Sequence, residues 1–193
     1  DDQEIALFAE RFGARVILRP EELAADHVTI DPVVKHAVEV CESDGIAYDI
    51  VVTVQPTSPL LHSRDIEKAI TFFNDNKIES VISVVDDRHL RWTIKDGVVA
   101  PLYEERVNRQ QIPPTFKETG AVIACRRNIL EKNTRIGDKI QLLELPPERS
   151  IDVDSITDFY MCKGIMKQKK ILFNIIGAKD IGMGHAYRAL TLA

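Results

Sequence analysis

Apolar runs and amphipathic segments alternate along the first half of the chain. The runs "YDIVVTV" at 48–54 and "ESVISVV" at 79–85 are continuous and rich in β-branched residues, which is typical of strands covered on both faces. Residues 29–41 and 63–76 space their apolar side chains at helical intervals, which predicts two helices. A short strand is predicted at 14–19. Strands that alternate with helices indicate an α/β sheet with crossover helices.

The pattern changes after Val85. The stretch "RWTIKDGVVAPL" at 91–102 predicts a hairpin that turns at Asp96-Gly97, because this dipeptide favours the turn conformation that matches strand twist. The polar residues that follow show little periodicity, so 86–118 is interpreted as an antiparallel excursion from the sheet. Further strands are predicted at 120–127 and 139–146, and a further helix at 155–168.

Composition narrows the class of protein. The 193 residues include 25 Lys and Arg against 30 Asp and Glu, a net charge of -5 that argues against binding to nucleic acid. The cysteines, Cys41, Cys125 and Cys162, lie far apart and favour neither a disulfide framework nor a zinc site, so a reducing cytoplasm is expected. No apolar stretch approaches the roughly 20 residues that span a bilayer, so no membrane partner is expected.

Polar side chains follow the strand at 48–54 directly, in the stretch "QPTSPL" at 55–60. In an open α/β sheet, ligands bind beyond the carboxyl ends of the strands, which makes Gln55, Thr57 and Ser58 candidates for binding a substrate. The prolines would hold these side chains at low entropic cost. The alternative interpretation is a structural turn between a strand and a helix.

The stretch "SIDVD" at 150–154 carries two carboxylates. Asp152 and Asp154 lie two positions apart, so an extended backbone places both on one side, and hard oxygen ligands of this kind suit Mg²⁺ that bridges phosphates. The alternative is a helix cap and a solvated acid.

A third candidate stretch, "NRQQIP" at 108–113, contains Arg109 and Gln110. Arginine offers a planar fork that binds a carboxylate through two hydrogen bonds. An ordinary surface arginine is the alternative.

The order and spacing of these stretches resemble one known family. "LRPEELA" at 18–24, "QPTSPL", "NRQQIP" with Gly120, and "SIDVD" are similar to stretches of the acylneuraminate cytidylyltransferases, the CMP-sialic acid synthetases. The resemblance covers roughly residues 1–165, and the Gln-Pro-Thr-Ser-Pro stretch is its most specific part. The 3-deoxy-manno-octulosonate cytidylyltransferases are less similar at this stretch.

The resemblance implies a mostly parallel, Rossmann-like nucleotidyltransferase sheet and transfer of CMP from CTP to a nine-carbon 2-keto sugar acid of the sialic, pseudaminic or legionaminic type, with release of pyrophosphate. It implies that Asp152 and Asp154 hold Mg²⁺ and that Arg109 holds the sugar carboxylate. Gln55 would hydrogen-bond the sugar, with Gln110 in the same pocket, while Thr57 and Ser58 shape the loop. Members of the family are dimers, so the excursion at 86–118 is expected to cross to a second copy.

The chain departs from the family pattern. Thr119 and Ile123 stand where the family has Asn and Tyr, which predicts a sugar with a different acyl or deoxy pattern. The family's opening strand and its Ala-Arg-x-Gly-Ser-Lys loop for CTP have no counterpart here, so we expect an amino-terminally truncated domain that is inactive by itself. The alternative function is a catalytically incomplete sugar-binding or dimerisation module of a bifunctional protein of nonulosonic acid biosynthesis.

The carboxyl-terminal stretch restarts the strand-loop-helix pattern. "GMGHAYRALTLA" at 182–193 resembles the start of the UDP-sugar hydrolases of pseudaminic acid synthesis. We therefore predict a cytidylyltransferase domain at 1–170 and, at 171–193, the start of a glycosyltransferase-like hydrolase domain. His185 is its candidate acid or base, although a helix-capping histidine fits equally.

Overall fold

The structure is a computed structural model that describes residues 2–167. The segment predicted to start a second domain, 171–193 with His185, lies outside the described residues. The helices are α1 (Gln3–Arg11), α2 (Ile30–Glu42), α3 (Ser63–Thr71) and α4 (Ile156–Met166). The strands are β1 (Ile50–Val54), β2 (Ser80–Asp86), β3 (Trp92–Lys95), β4 (Val98–Pro101), β5 (Phe116–Arg126) and β6 (Ile140–Glu144).

Four strands form the main sheet in the order β1-β5-β2-β6. β2 and β6 pair in parallel, while β5 lies antiparallel between β1 and β2. Three of the four strands therefore run in one direction, and the predicted α/β class with a mostly parallel sheet is confirmed. The predicted short strand at 14–19 does not form. The side chain of Leu18 there is 68% exposed, and the segment pairs with no strand among the described residues.

The helices cover opposite faces of this sheet. Val52 faces Ala124 across β1 and β5, and both pack with α3, whereas the next pair, Val51 and Cys125, packs with α2. Successive residues of a strand point to opposite faces, so α2 and α3 lie on different sides. The prediction that both early strands are covered on both faces is right for β2 and too strong for β1, which is only partly buried because it is an edge strand.

The excursion contains the predicted hairpin. β3 and β4 form a separate two-stranded sheet, and the turn residues Asp96 and Gly97 both have positive φ, 52° and 79°, as a type I′ turn requires. Ile94 faces Val99 across the hairpin, and their side chains are 72% and 63% exposed. One face of the hairpin is thus apolar and uncovered by the described part of the chain.

None of the helices within 2–167 combines the length and the apolar character needed to cross a bilayer.

Candidate active site

A tight turn follows β1. The backbone N–H of Ser58 donates to the carbonyl of Gln55 at 3.1 Å, and Ser58 is buried. The hydroxyl of Thr57 donates to Oε1 of Gln55 at 3.4 Å, which leaves the amide nitrogen of Gln55 to donate elsewhere. Thr57 and Ser58 therefore fix the loop and the side chain of Gln55, and none of the three is among the residues that line the cavity described below.

A β-bulge brings β5 against this loop. Ile82 pairs with Ile123 but Val84 pairs with Glu118, so four residues of β5 oppose Ser83 alone. Gly120 lies in the bulge with φ 71°, a conformation that favours glycine. A Cβ at Gly120 would lie 3.6 Å from Oε1 of Gln55. The bulge thus places the backbone of β5 beside the side chain of Gln55.

Two buried hydroxyls hold the bulge in place. Oγ of Ser83 accepts the backbone N–H of Val122 at 2.8 Å and lies 2.7 Å from Oγ1 of Thr119. The hydroxyl of Thr119 in turn lies 3.3 Å from the carbonyl of Ser83, to which it donates. Thr119, which stands where the resembling family has Asn, is thus used to shape the bulge.

The segment that carries the two aspartates packs on the same turn. The backbone N–H of Val153 donates to the carbonyl of Thr57 at 2.8 Å. Asp152 and Asp154, on either side of Val153, line a cavity of about 400 Å³ together with Gly120. The structure therefore brings together the "QPTSPL" turn, the glycine of β5 and the "SIDVD" segment, which are far apart in sequence.

The aspartates fit a Mg²⁺ site in one specific respect. Oδ1 of Asp152 is buried and has no hydrogen-bond partner within the described residues, so this oxygen is available to a ligand. No group of three or more His, Cys, Asp or Glu side chains in 2–167 is arranged to hold a metal. Mg²⁺ in phosphate-transfer sites commonly takes only one or two carboxylates, with substrate phosphates and water as its other ligands, and Asp152 and Asp154 supply that number in one cavity.

Asp158 lines the same cavity but has a different task. Its carboxylate accepts hydrogen bonds from the hydroxyl and the backbone N–H of Ser155, at 2.7 and 2.9 Å, in a capping box at the start of α4. These bonds hold the pKa of Asp158 below its ordinary value, with a smaller contribution from the charge of Lys117. Asp158 is therefore an ionised helix cap.

Arg109 and Gln110 lie apart from this cavity. They belong to an exposed 3-10 turn, Arg109–Gln111, and neither is among the residues that line it. Arg109 is near Asp86, at the end of β2. The pKa of Asp86 is lowered mainly by its hydrogen bonds with Arg88 and, as the weakest of the contributions, by the charge of Arg109. The predicted roles of Arg109 and Gln110 in sugar binding stay predictions.

The cavity has one cationic side chain among the described residues that line it, Lys117, with Glu118 beside it. The sequence pattern does not predict either residue, because both precede Gly120 in a stretch without clear periodicity. The bulge shifts the register of β5, so simple alternation does not indicate which side chains face the site. The one available signal was their short distance in sequence from Gly120.

Comparisons with known proteins identify the family and the fold of the chain. The sequence model of the cytidylyltransferase family matches residues 1–169. The post-translational flagellin modification protein B of Campylobacter coli is 27% identical over 179 residues, covering 89% of this chain and 76% of that protein. The N-acylneuraminate cytidylyltransferase of Escherichia coli O18:K1:H7 is 26% identical over 88% of this chain and 41% of its own length. The pseudaminic acid cytidylyltransferase of Campylobacter jejuni is 22% identical over 86% of this chain and 75% of its own.

A solved structure shares the fold. The CMP:2-keto-3-deoxy-manno-octonic acid synthetase in complex with CTP superposes with a TM-score of 0.56 at 16% identity, over 86% of this chain and 78% of that one. The chain spans about three-quarters of the two Campylobacter relatives but less than half of the E. coli N-acylneuraminate enzyme. Since the family model covers most of the sequence and the fold agrees, the chain belongs to the cytidylyltransferase family, which confirms the predicted nucleotidyltransferase class.

Proposed function

We propose that the protein transfers CMP from CTP to the anomeric hydroxyl of a nine-carbon 2-keto sugar acid of the sialic, pseudaminic or legionaminic type. The observation that carries this proposal is that Gly120, Asp152 and Asp154 line one cavity and that the side chain of Gln55 lies against Gly120. The names of the relatives from E. coli and C. jejuni support the substrate class.

In the proposed reaction the sugar hydroxyl attacks the α-phosphorus of CTP. A new O–P bond forms, the bond between the α- and β-phosphates breaks, and pyrophosphate leaves. Asp152 and Asp154 would hold Mg²⁺, which when bound neutralises the charge of the triphosphate. One of the two carboxylates would also orient the sugar hydroxyl and accept its proton as the O–P bond forms.

The remaining residues would bind and orient the sugar. The amide nitrogen of Gln55 would donate to a sugar hydroxyl, because Oε1 already accepts from Thr57. Lys117 offers a cationic contact to an anionic group of the substrate from within the cavity. Arg109 would bind the sugar carboxylate, with Gln110 beside it, if the turn that carries them closes over the cavity mouth.

The proposal includes a homodimer in the cytoplasm, where CTP is available. The apolar face of the β3–β4 hairpin supports the dimer, because Trp92, Ile94 and Val99 are all more than half exposed there. Exposed apolar patches of this kind mark association surfaces.

The test is release of pyrophosphate from CTP and Mg²⁺ by the full-length protein, with a panel of nine-carbon keto-sugar acids. Sugar-dependent release that is lost in Arg109→Ala and Asp154→Ala would support the proposal and identify the substrate. Glu148→Gln, an exposed charge change just before the aspartate segment, is the matched control and should keep the activity. A folded protein that releases no pyrophosphate with any of these sugars would favour the alternative, a catalytically incomplete sugar-binding or dimerisation module.

A further inference from the structure

A largely buried ion pair joins the start of α3 to the segment that leads into the cavity. Nη2 of Arg149 donates to Oδ1 of Asp65 at 2.9 Å, and the two side chains are only 20% and 7% exposed. Arg149 ends a 3-10 turn, Pro147–Arg149, immediately before the "SIDVD" segment. Asp65 lies in the first turn of α3, shortly after the "QPTSPL" loop.

Asp65 also fixes the start of α3. Its Oδ2 accepts the backbone N–H of His62 at 3.0 Å, as part of a capping box. Each oxygen of this carboxylate therefore has its own partner, one in α3 and one in the neighbouring loop. Asp65 thus links Arg149 to the start of α3, which follows the "QPTSPL" loop.

The aspartate segment is consequently anchored at two points. Arg149 holds its base through Asp65, and the backbone N–H of Val153 holds its middle through the carbonyl of Thr57. Asp152 lies between the two anchors, and its buried Oδ1 has no partner of its own within residues 2–167. No other hydrogen bond of this carboxylate is seen in the described structure, so its placement depends on the backbone that carries it.

We propose that Asp65 and Arg149 are a positioning pair that sets the place of the Asp152 carboxylate in the cavity, an inference that rests on the proposed function. Buried ion pairs contribute little net stability compared with apolar replacements, because removing both charges from water is costly. Their advantage is geometric, since a guanidinium and a carboxylate fix direction as well as distance. The pair thus acts on the reaction through Asp152 and touches neither substrate.

The test compares three variants of the full-length protein. Arg149→Met removes the charge and keeps the apolar stem, and Arg149→Lys keeps the charge without the planar fork. Arg64→Met is the matched control, because Arg64 lies in the same helix turn but its side-chain hydrogen bonds among the described residues go to His62 and not to the "SIDVD" segment. Two quantities are measured, amide hydrogen exchange at Val153 and the Mg²⁺ concentration that gives half-maximal pyrophosphate release.

In Arg149→Met we expect exchange at Val153 to accelerate about tenfold or more, while exchange at the core residue Val122 stays unchanged, because only the anchored loop loosens. The half-maximal Mg²⁺ concentration should rise about tenfold with kcat nearly retained at saturating Mg²⁺. Arg149→Lys should be intermediate, and Arg64→Met should match the unmodified protein in both measurements.

Unchanged exchange at Val153 in Arg149→Met, or equal acceleration in Arg64→Met, would overturn the inference. If Arg149→Met does not fold, Arg149→Lys decides through the same comparison of Val153 with Val122. The exchange measurement needs no turnover, so it separates failure of this inference from failure of the proposed function. Loosened exchange with no pyrophosphate release from any variant would support the anchoring and reject only the proposed reaction.

Discussion

Gly120 lies directly against the side chain of Gln55: a Cβ added to Gly120 would meet Oε1 of Gln55 at 3.6 Å. The two residues belong to neighbouring antiparallel strands or their ends, since β1 pairs with β5 from Ile50 to Val54. The contact places the side-chain amide of Gln55 beside the β-bulge of β5. We therefore expect substitutions of Gly120 to have measurable effects.

Gly120→Ala should destabilise the fold by about 1–2 kcal/mol, because a side chain at φ 71° is strained even where space exists. The measurement is urea unfolding of the variant and the unmodified protein. Gly164→Ala is the control, since Gly164 lies in α4 with open space around it and alanine there should stabilise by roughly 0.5–1 kcal/mol. If Gly120→Ala and Gly164→Ala changed the free energy of unfolding equally, the positive φ of Gly120 would not be what makes this glycine necessary.

Asp152→Asn should lower kcat by about 100-fold or more, the usual scale for a group that acts in the transition state. The amide keeps the shape of the side chain but loses the charge that a metal ion needs. Pyrophosphate release as a function of Mg²⁺ concentration measures the effect, with Glu148→Gln as the control. Full activity of Asp152→Asn would remove Asp152 from the metal site.

The pair of Ser83 and Thr119 should be coupled in a double-mutant cycle. Ser83→Ala and Thr119→Val should each cost about 1–3 kcal/mol, because each leaves a buried partner without its hydrogen bond. The double variant should cost less than the sum by about 1 kcal/mol, since no unpaired hydroxyl then remains. Strict additivity in chemical unfolding would show that the two hydroxyls act independently.

The ion pair between Glu42 and Arg127 should make stability depend on pH in the acid range. Arg127 donates to both carboxylate oxygens of Glu42, at 2.7 and 2.8 Å, and these bonds lower the pKa of Glu42 from its ordinary value of 4.5. Because the folded pKa lies below the unfolded one, the stabilisation is complete above the ordinary value and is lost as pH falls through the folded pKa. The difference in unfolding free energy between the unmodified protein and Glu42→Gln should therefore be constant near pH 7 and shrink below pH 4.5. A difference that grows on acidification would contradict the sign of the shift.

Ile94→Asp should shift the proposed dimer towards monomer. Ile94 and Val99 face each other on the uncovered apolar face of the hairpin, where a buried carboxylate would lack a partner. Sedimentation velocity across a concentration series measures the change. Lys95→Glu is the control, because Lys95 points to the opposite face of the same strand, and it should leave the dimer intact.

Local pattern alone determined most of the secondary structure. The β-branched runs predicted β1 and β2, and the Asp96-Gly97 turn followed from the need for two consecutive residues with positive φ. These features depend on neighbours within a few positions, so the sequence carries them directly. The order of the "QPTSPL", "NRQQIP" and "SIDVD" stretches likewise indicated the family through its resemblance to known members.

Only the tertiary structure decided how these elements meet. The insertion of β5 between β1 and β2, the bulge that turns Gly120 towards Gln55, and the place of Lys117 in the cavity all depend on cross-strand register. The ion pair of Asp65 with Arg149 joins positions 84 residues apart. Periodicity indicates the face of a helix or strand on which a side chain lies. Pairing between residues far apart in sequence depends instead on which arrangement of the whole chain buries the most apolar surface and leaves the fewest polar groups unpaired.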